Sequence, residues 1–206
     1  LFRSAETMPR LKGRGGYLTK QAWTFTPTEM QDLVFQPAAP VLAQGLREPE
    51  GRVAAAILRN LSTNAAPSVL AACQSSTARE RINASAAIGN VTNTHLDQTL
   101  ITLLNDELPI VRRNAINAIM ANWAPVFIDP LVASFHDPYP YVRNRASVWL
   151  STHEAKDRAG KYLALLHDPD PNVQACALVV LAELDPAAVP RPDLQRLLSS
   201  PDLHTI

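Results

Sequence analysis

Ala84, Ala115, Ala146 and Ala177 fall 31 residues apart, and whole segments come with them. Asp106 to Ile119, Asp137 to Leu150 and Asp168 to Leu181 repeat one pattern: an acidic turn, a proline, a valine followed by a long polar residue, and an alanine four places after the valine. A fixed period of this length means stacked supersecondary units, each burying its apolar face against its neighbours, and excludes a globule built round one central core. It also makes the chain a generator of surface, so the repeat speaks to architecture far more than to ligand.

The columns of the repeat predict two helices per unit. In the first, Leu100, Leu131 and Tyr162 align, as do Ile101, Val132, Leu163 and Leu194, and then Leu104, Phe135, Leu166 and Leu197. Extended backward, these columns pass through Val69, Leu70 and Cys73. Positions i, i+1 and i+4 form one buried stripe on a helix. The second helix has its core face at Val111, Ala115, Ala118, Ile119 and Asn122. Its counterparts are Val142, Ala146, Trp149, Leu150 and His153, then Val173, Ala177, Val180, Leu181 and Leu184. One unit earlier stand Ala84, Ala87, Ile88 and Val91, with Glu80 in the valine place. Small alanines at a fixed place let neighbouring helices approach closely. Between the helices, Pro138 and Pro169 stop the incoming helix, while Pro109, Pro140 and Pro171 sit where the next begins, at the one helical position where a missing N–H costs nothing.

An earlier unit runs from Arg47 to Leu61, with Val53 in the valine place. Residues 40–206 are therefore expected to form the repeat array, and residues 1–39 an extension with little regular structure. Within that extension, Pro27 to Phe35 predicts a short helix capped by Thr26, and Trp23, Phe25 and Phe35 are expected to cover the first repeat. The last unit stops as its second helix should begin, so the array is expected to continue beyond Ile206.

Nineteen basic and nineteen acidic residues give no formal net charge, which speaks against a dedicated nucleic-acid binder. Two cysteines so far apart indicate no disulfide framework. Cys73, in a column of leucines, reads as a buried apolar side chain. No run of about 20 apolar residues suggests a membrane span. No metal-binding, phosphate-binding or nucleophile-elbow motif is present.

Asp-Pro-x-Pro-x-Val-Arg-x-x-Ala resembles the signature of HEAT repeats, and especially the short bacterial HEAT-like type of phycobilisome lyases, over roughly Val41 to Ile206. The resemblance implies an all-α, right-handed α-solenoid of stacked antiparallel helix pairs, here about five repeats plus a truncated sixth. It further implies that second helices line a concave face and that the partners are macromolecules. The turn Asp and following Arg of such repeats form an inter-repeat ladder. That maps onto Asp106 with Arg112 and Asp137 with Arg143, breaks at Asp168 with Gln174, and leaves Arg81 without an Asp, since Ser75 stands in its place.

On the presumed concave line, residues two, six and nine past the valine place point away from the core. They are Ile82, Ala86 and Gly89; Arg113, Asn117 and Met120; Asn144, Val148 and Ser151; Ala175, Val179 and Ala182. Small apolar and neutral polar groups of this kind suit a protein or peptide chain better than a polyanion. Arg112, Arg113, Arg143 and Arg145 make a local basic cluster that Asp106, Glu107 and Asp137 offset. Asn122, Trp149 and His153, on neighbouring second helices, are the candidate pocket. His136 and His167 share one repeat position before the turn and read as solvated. His153-Glu154 is similar to the His-Glu pairs with which HEAT-type deoxyhypusine hydroxylases hold iron, but one pair is too few for a metal. The expected function is a non-catalytic scaffold binding protein through its concave face, as a module of a larger protein and with no cofactor. The alternative is an enzyme-associated module, a prosthetic-group lyase or chaperone, or a HEAT-like DNA glycosylase.

Overall fold

The computed structural model describes residues 36–61, 66–91, 96–154 and 158–199. The expected N-terminal cap, with Trp23, Phe25 and Phe35, and the chain end past Ser199 lie outside the described residues. The described residues are helices joined by tight turns. The first helices of successive pairs are α1 (Gln36–Gly45), α3 (Ala66–Cys73), α5 (Leu96–Leu104), α7 (Ile128–Ala133), α9 (Ala159–Leu165) and α11 (Arg191–Leu198). The second helices are α2 (Gly51–Leu61), α4 (Ala78–Ala87), α6 (Pro109–Ala121), α8 (Pro140–His153) and α10 (Pro171–Leu184). Each second helix packs on its own first helix and on the second helices before and after it, so the pairs stack into an all-α solenoid.

The columns are buried as their spacing demands. Leu100, Leu131 and Tyr162 are fully buried, as are Phe135, Leu166 and Leu197, with Cys73 in register at 3% exposure. Ile101, Val132, Leu163 and Leu194 pack against the core from its edge. On the second helices Val111, Val142 and Val173 are fully buried, with the alanines that follow them. Burial pushes the Cys73 thiol up to about 12, as an apolar surrounding should.

The first unit departs from the sequence reading. Val53 is 61% exposed, and Ala54, Ala55 and Leu58 supply the core contacts of α2. The reason lies at Gly51, where the chain passes so close to its neighbour that a side chain has no room. A Cβ there would sit 2.7 Å from Leu46 O and closer still to the Asn83 amide nitrogen. That amide donates to Leu46 O at 2.8 Å, tying α4 to the turn before α2. Asn83, a glycosylation-pattern asparagine in the sequence, is thus buried and engaged.

The turns are built alike. Helices α6, α8 and α10 begin at Pro109, Pro140 and Pro171, and the residue before each is extended, as a following proline requires. Two residues earlier, an aspartate side chain accepts the backbone N–H of that extended residue. Asp106 takes Leu108 N at 2.9 Å, Asp137 takes Tyr139 N at 2.7 Å and Asp168 takes Asp170 N at 2.8 Å. Ser75 does the same for Thr77 N at 3.1 Å, so the serine replaces the aspartate in kind.

One turn into each second helix, a long polar side chain returns to the turn carbonyls. Arg81 reaches Ser75 O, Arg112 reaches Asp106 O, Arg143 reaches Asp137 O and Gln174 reaches Asp168 O, at 3.1, 2.9, 2.8 and 2.6 Å. The other arm of the guanidinium crosses to the next repeat. Arg81 pairs with Asp106 at 2.7 Å, and Arg112 grips Asp137 with two bonds of 2.7 and 2.9 Å. The ladder thus runs from each arginine to the following unit's aspartate, and Arg81 has a carboxylate after all. The missing rung is one step earlier than expected: Arg143 turns to Asn172 Oδ1 at 3.0 Å instead of Asp168. Gln174 carries the chain of contacts onward, accepting from Arg196 at 3.2 Å.

Glu80 fills the valine place as a charge, 4% exposed. Burial alone would raise its carboxyl, but hydrogen bonds from Ser75 at 2.5 Å and Arg47 at 2.8 Å outweigh it and hold the pKa below the usual value.

Three outcomes follow from this packing. Arg112→Ala leaves Asp137 buried and unpaired and should lower unfolding free energy by about 3 kcal/mol in urea titrations. Gly51→Ala should cost about 1–3 kcal/mol from the forced contact with Asn83 and Leu46 O. Adding Asn83→Ala should recover part of it, a coupling that a double-mutant cycle reads directly. Because the Glu80 pKa is depressed on folding, its stabilisation is full above the ordinary glutamate pKa of about 4.3 and lost as pH falls through the folded value. Replacing both Ser75 and Arg47 by alanine should therefore move the acid-unfolding midpoint, followed by circular dichroism, to higher pH.

Candidate functional site

Side chains on the second helices that do not enter the core form a succession of grooves between neighbouring helices. Between α2 and α4, Arg52, Ala56 and Arg59 face Asn83 and Ala86 across about 470 Å³. Between α4 and α6, Ala86 and Gly89 face Asn117 and Ala121 across about 190 Å³, with Arg59 at the rim. Between α8 and α10, Tyr141 and Asn144 face Ala175 and Val179 across about 390 Å³. Small residues recur along these helices, at Ala56, Ala86, Gly89, Ala121 and Ala175, and leave a channel where two helices meet.

Asn117, Asn144 and Val179 line these grooves. Val148 is 46% exposed and Val179 39%. At α6–α8 the groove is bridged: Tyr141 donates to Asn117 Oδ1 at 3.1 Å, and Arg145 Nη2 lies 2.9 Å from Met120 Sδ. Arg113 is half-buried on α6 in the column of Asn144 and Ala175. Ser151 is buried, its hydroxyl returned to Val148 O at 2.9 Å, and offers little to a ligand.

The sequence treats Arg112, Arg113, Arg143 and Arg145 as one cluster offset by nearby acids, and the structure separates them. Arg112 and Arg143 are bound to the turns and to the next repeat. Asp106 and Asp137 are occupied there as well, and Glu107 is held by Arg81 at 2.8 Å. Arg113 and Arg145 make no ion pair among the described residues. Sequence reasoning missed Arg52 and Arg59 because Val53 was taken as the register mark of α2. Counted from the groove they line, Arg52, Ala56 and Arg59 match Ile82, Ala86 and Gly89.

Asn122 turns to one set of partners, and Trp149 and His153 to each other. The Asn122 amide donates to Gly89 O at 3.2 Å and Ala118 O at 2.9 Å, towards the preceding repeat. His153, expected at a core-facing position, is exposed at the last turn of α8. Its ring stacks on Trp149 with centroids 3.8 Å apart, and Nδ1 lies 3.0 Å from Trp149 O. Trp123 fills the space beside both rings, at 6.1 Å from Trp149 and 5.6 Å from His153. The half-buried indole packs against the core from its edge, and the exposed imidazole covers its outer face. The Trp149 N–H is buried without an acceptor among the described residues.

Glu154, next to His153, points elsewhere: it is buried and accepts from the Tyr162 hydroxyl at 3.0 Å. Burial first, and then that carboxylate, push the Tyr162 phenol up. The His-Glu pair is thereby split between two surroundings. Among the described residues no three His, Cys, Asp or Glu side chains converge as a metal ion requires. His136 and His167, both exposed, approach the next repeat's Asp168 and Asp193 at 3.8 and 3.7 Å. Cys176 borders the α8–α10 groove, its thiol pushed up to about 11 by burial. No described helix is long and apolar enough to cross a membrane.

Residues 66–150 match the family model of HEAT repeats. No curated protein matches the chain. Among solved structures it is similar to a designed armadillo repeat protein, 21% identical, with 79% of this chain and 93% of that one covered at a TM-score of 0.46. It is also similar to an engineered protein, 18% identical, with 81% and 83% covered at a TM-score of 0.43. The turns and inter-repeat arginines from α3 to the start of α8 fall within the matched span, and the chain is an all-α helical repeat protein that matches HEAT repeats over residues 66–150.

Proposed function

We propose that the chain is a non-catalytic protein-docking scaffold whose partner lies along the second-helix face, the concave face by family resemblance. One observation carries this reading. The polar groups of the turns are spent on one another, in backbone caps and inter-repeat bonds, whereas the second-helix face keeps grooves whose side chains have few partners of their own. Val148, Val179 and Tyr141 supply apolar surface there, and Asn117 and Asn144 supply amides. Such a mixture of apolar contact and neutral hydrogen bonding is typical of protein interfaces.

Docking of this kind is rigid-body complementarity, since the grooves are preformed by core packing. Affinity capture with the wild type and two double variants tests it. Arg113→Glu/Met120→Glu places charges in the face and should lose the partners that the wild type retains. Gln98→Glu/Thr102→Glu changes exposed positions on α5 and should keep them. Identical partner sets for all three proteins would remove the second-helix face from consideration.

A further inference from the structure

The second-helix face is not uniform along its length. From α2 to α8 its helices carry one carboxylate, Glu80, which is 4% exposed and already held by Arg47 and Ser75. Against it stand Arg52 and Arg59 on α2, Arg113 on α6 and Arg145 on α8, none in an ion pair among the described residues. Arg52 and Arg59 line the first groove, and Arg59 also borders the second. Arg145 reaches back over Met120 towards α6. A chain with no formal net charge therefore presents a basic strip on one face, because between Gly51 and His153 its acids other than Glu80 lie in the turns and on the first helices.

The floor of that strip is low. Ala56, Ala86, Gly89 and Ala121 line it, and a Cβ built on Gly89 would meet nothing within 4 Å. Arginines rising over a floor of small residues suit an extended main chain bearing carboxylates, which guanidinium groups bind in two-pronged fashion. A single-stranded nucleic acid calls for a run of aromatic platforms as well as charge, whereas the second helices α2, α4 and α6 hold no aromatic residue and Tyr141 on α8 is already bonded to Asn117.

We propose that the second-helix face from α2 to α8 docks an acidic, extended segment of a partner protein, with Arg52, Arg59, Arg113 and Arg145 as its counter-charges. This rests on the docking role assigned to that face and adds the chemistry of the occupant. The uncharged surface at Val148 and Val179 then receives the apolar continuation of the same segment.

Fluorescence anisotropy with a labelled ten-residue Glu/Asp-rich peptide tests it, using the whole chain. The wild type should bind saturably, and affinity should fall as salt rises. Arg59→Glu should weaken binding by about ten-fold or more, while Arg191→Glu, the same charge change on exposed α11, should stay within about two-fold. Arg59→Gln, which removes charge without reversing it, should fall between them, and circular dichroism melts check that each variant is folded. No saturable binding by the wild type, or equal weakening by Arg59→Glu and Arg191→Glu, would overturn the proposal. So would tighter, Arg59-dependent binding of a ten-nucleotide oligothymidylate. If the acidic peptide fails while Arg113→Glu/Met120→Glu still loses its partners in capture, the face remains the docking site and only the acidic occupant falls.

Discussion

Everything in this array depends on one side chain per repeat that bonds in two directions. The guanidinium of Arg112 closes its own turn through Asp106 O and then holds Asp137 of the next unit with two bonds. Arg81 does the same one repeat earlier. A helix pair cannot bury its apolar stripe alone, so a repeat protein stands or falls with the interface between neighbours. Apolar columns supply the attraction, but they slide easily past one another. The arginine fixes the angle, because its fork fits carbonyl and carboxylate only when two turns sit in one relation.

The same economy separates structure from function. Asp106 and Asp137, which would otherwise neutralise the surface, serve in the turns as caps and as arginine partners. The second helices are left with small residues facing outward and with arginines that make no ion pair among the described residues. Distribution of charge, not its sum, decides what this protein offers to a partner.

Much of this was legible in the residues. The columns through Leu100, Leu131 and Tyr162 and through Ala84, Ala115, Ala146 and Ala177 placed the core, because a 31-residue period leaves few other packings for apolar residues at helical spacing. The prolines placed the helix starts. Less legible was anything that depends on a side chain's reach. The register of α2 could not be read because Gly51 accommodates an amide from another helix, and no local pattern reports that. The ladder's direction was hidden because Arg112 has an aspartate six residues before it and another 25 after it, and only geometry says which carboxylate it grips. His153 followed the column but not its burial: it lies exposed against the half-buried indole one turn earlier, a stack that periodicity does not report.

The absent rung between Arg143 and Asp168 makes the array uneven in a further respect. Junctions at Arg81–Asp106 and Arg112–Asp137 join an ion pair to packing, whereas at α8–α10 Arg143 meets the neutral Asn172 Oδ1 instead, beside the buried Val142, Ala146 and Leu150 of one helix and Val173, Ala177 and Leu181 of the other. Apolar cohesion weakens on cooling, while the desolvation cost of ion pairs falls on heating. Both terms therefore gain on warming, so the junctions differ in how firmly their angle is held and not in the sense of their response to temperature, and the stiffness of the solenoid against bending varies along its length.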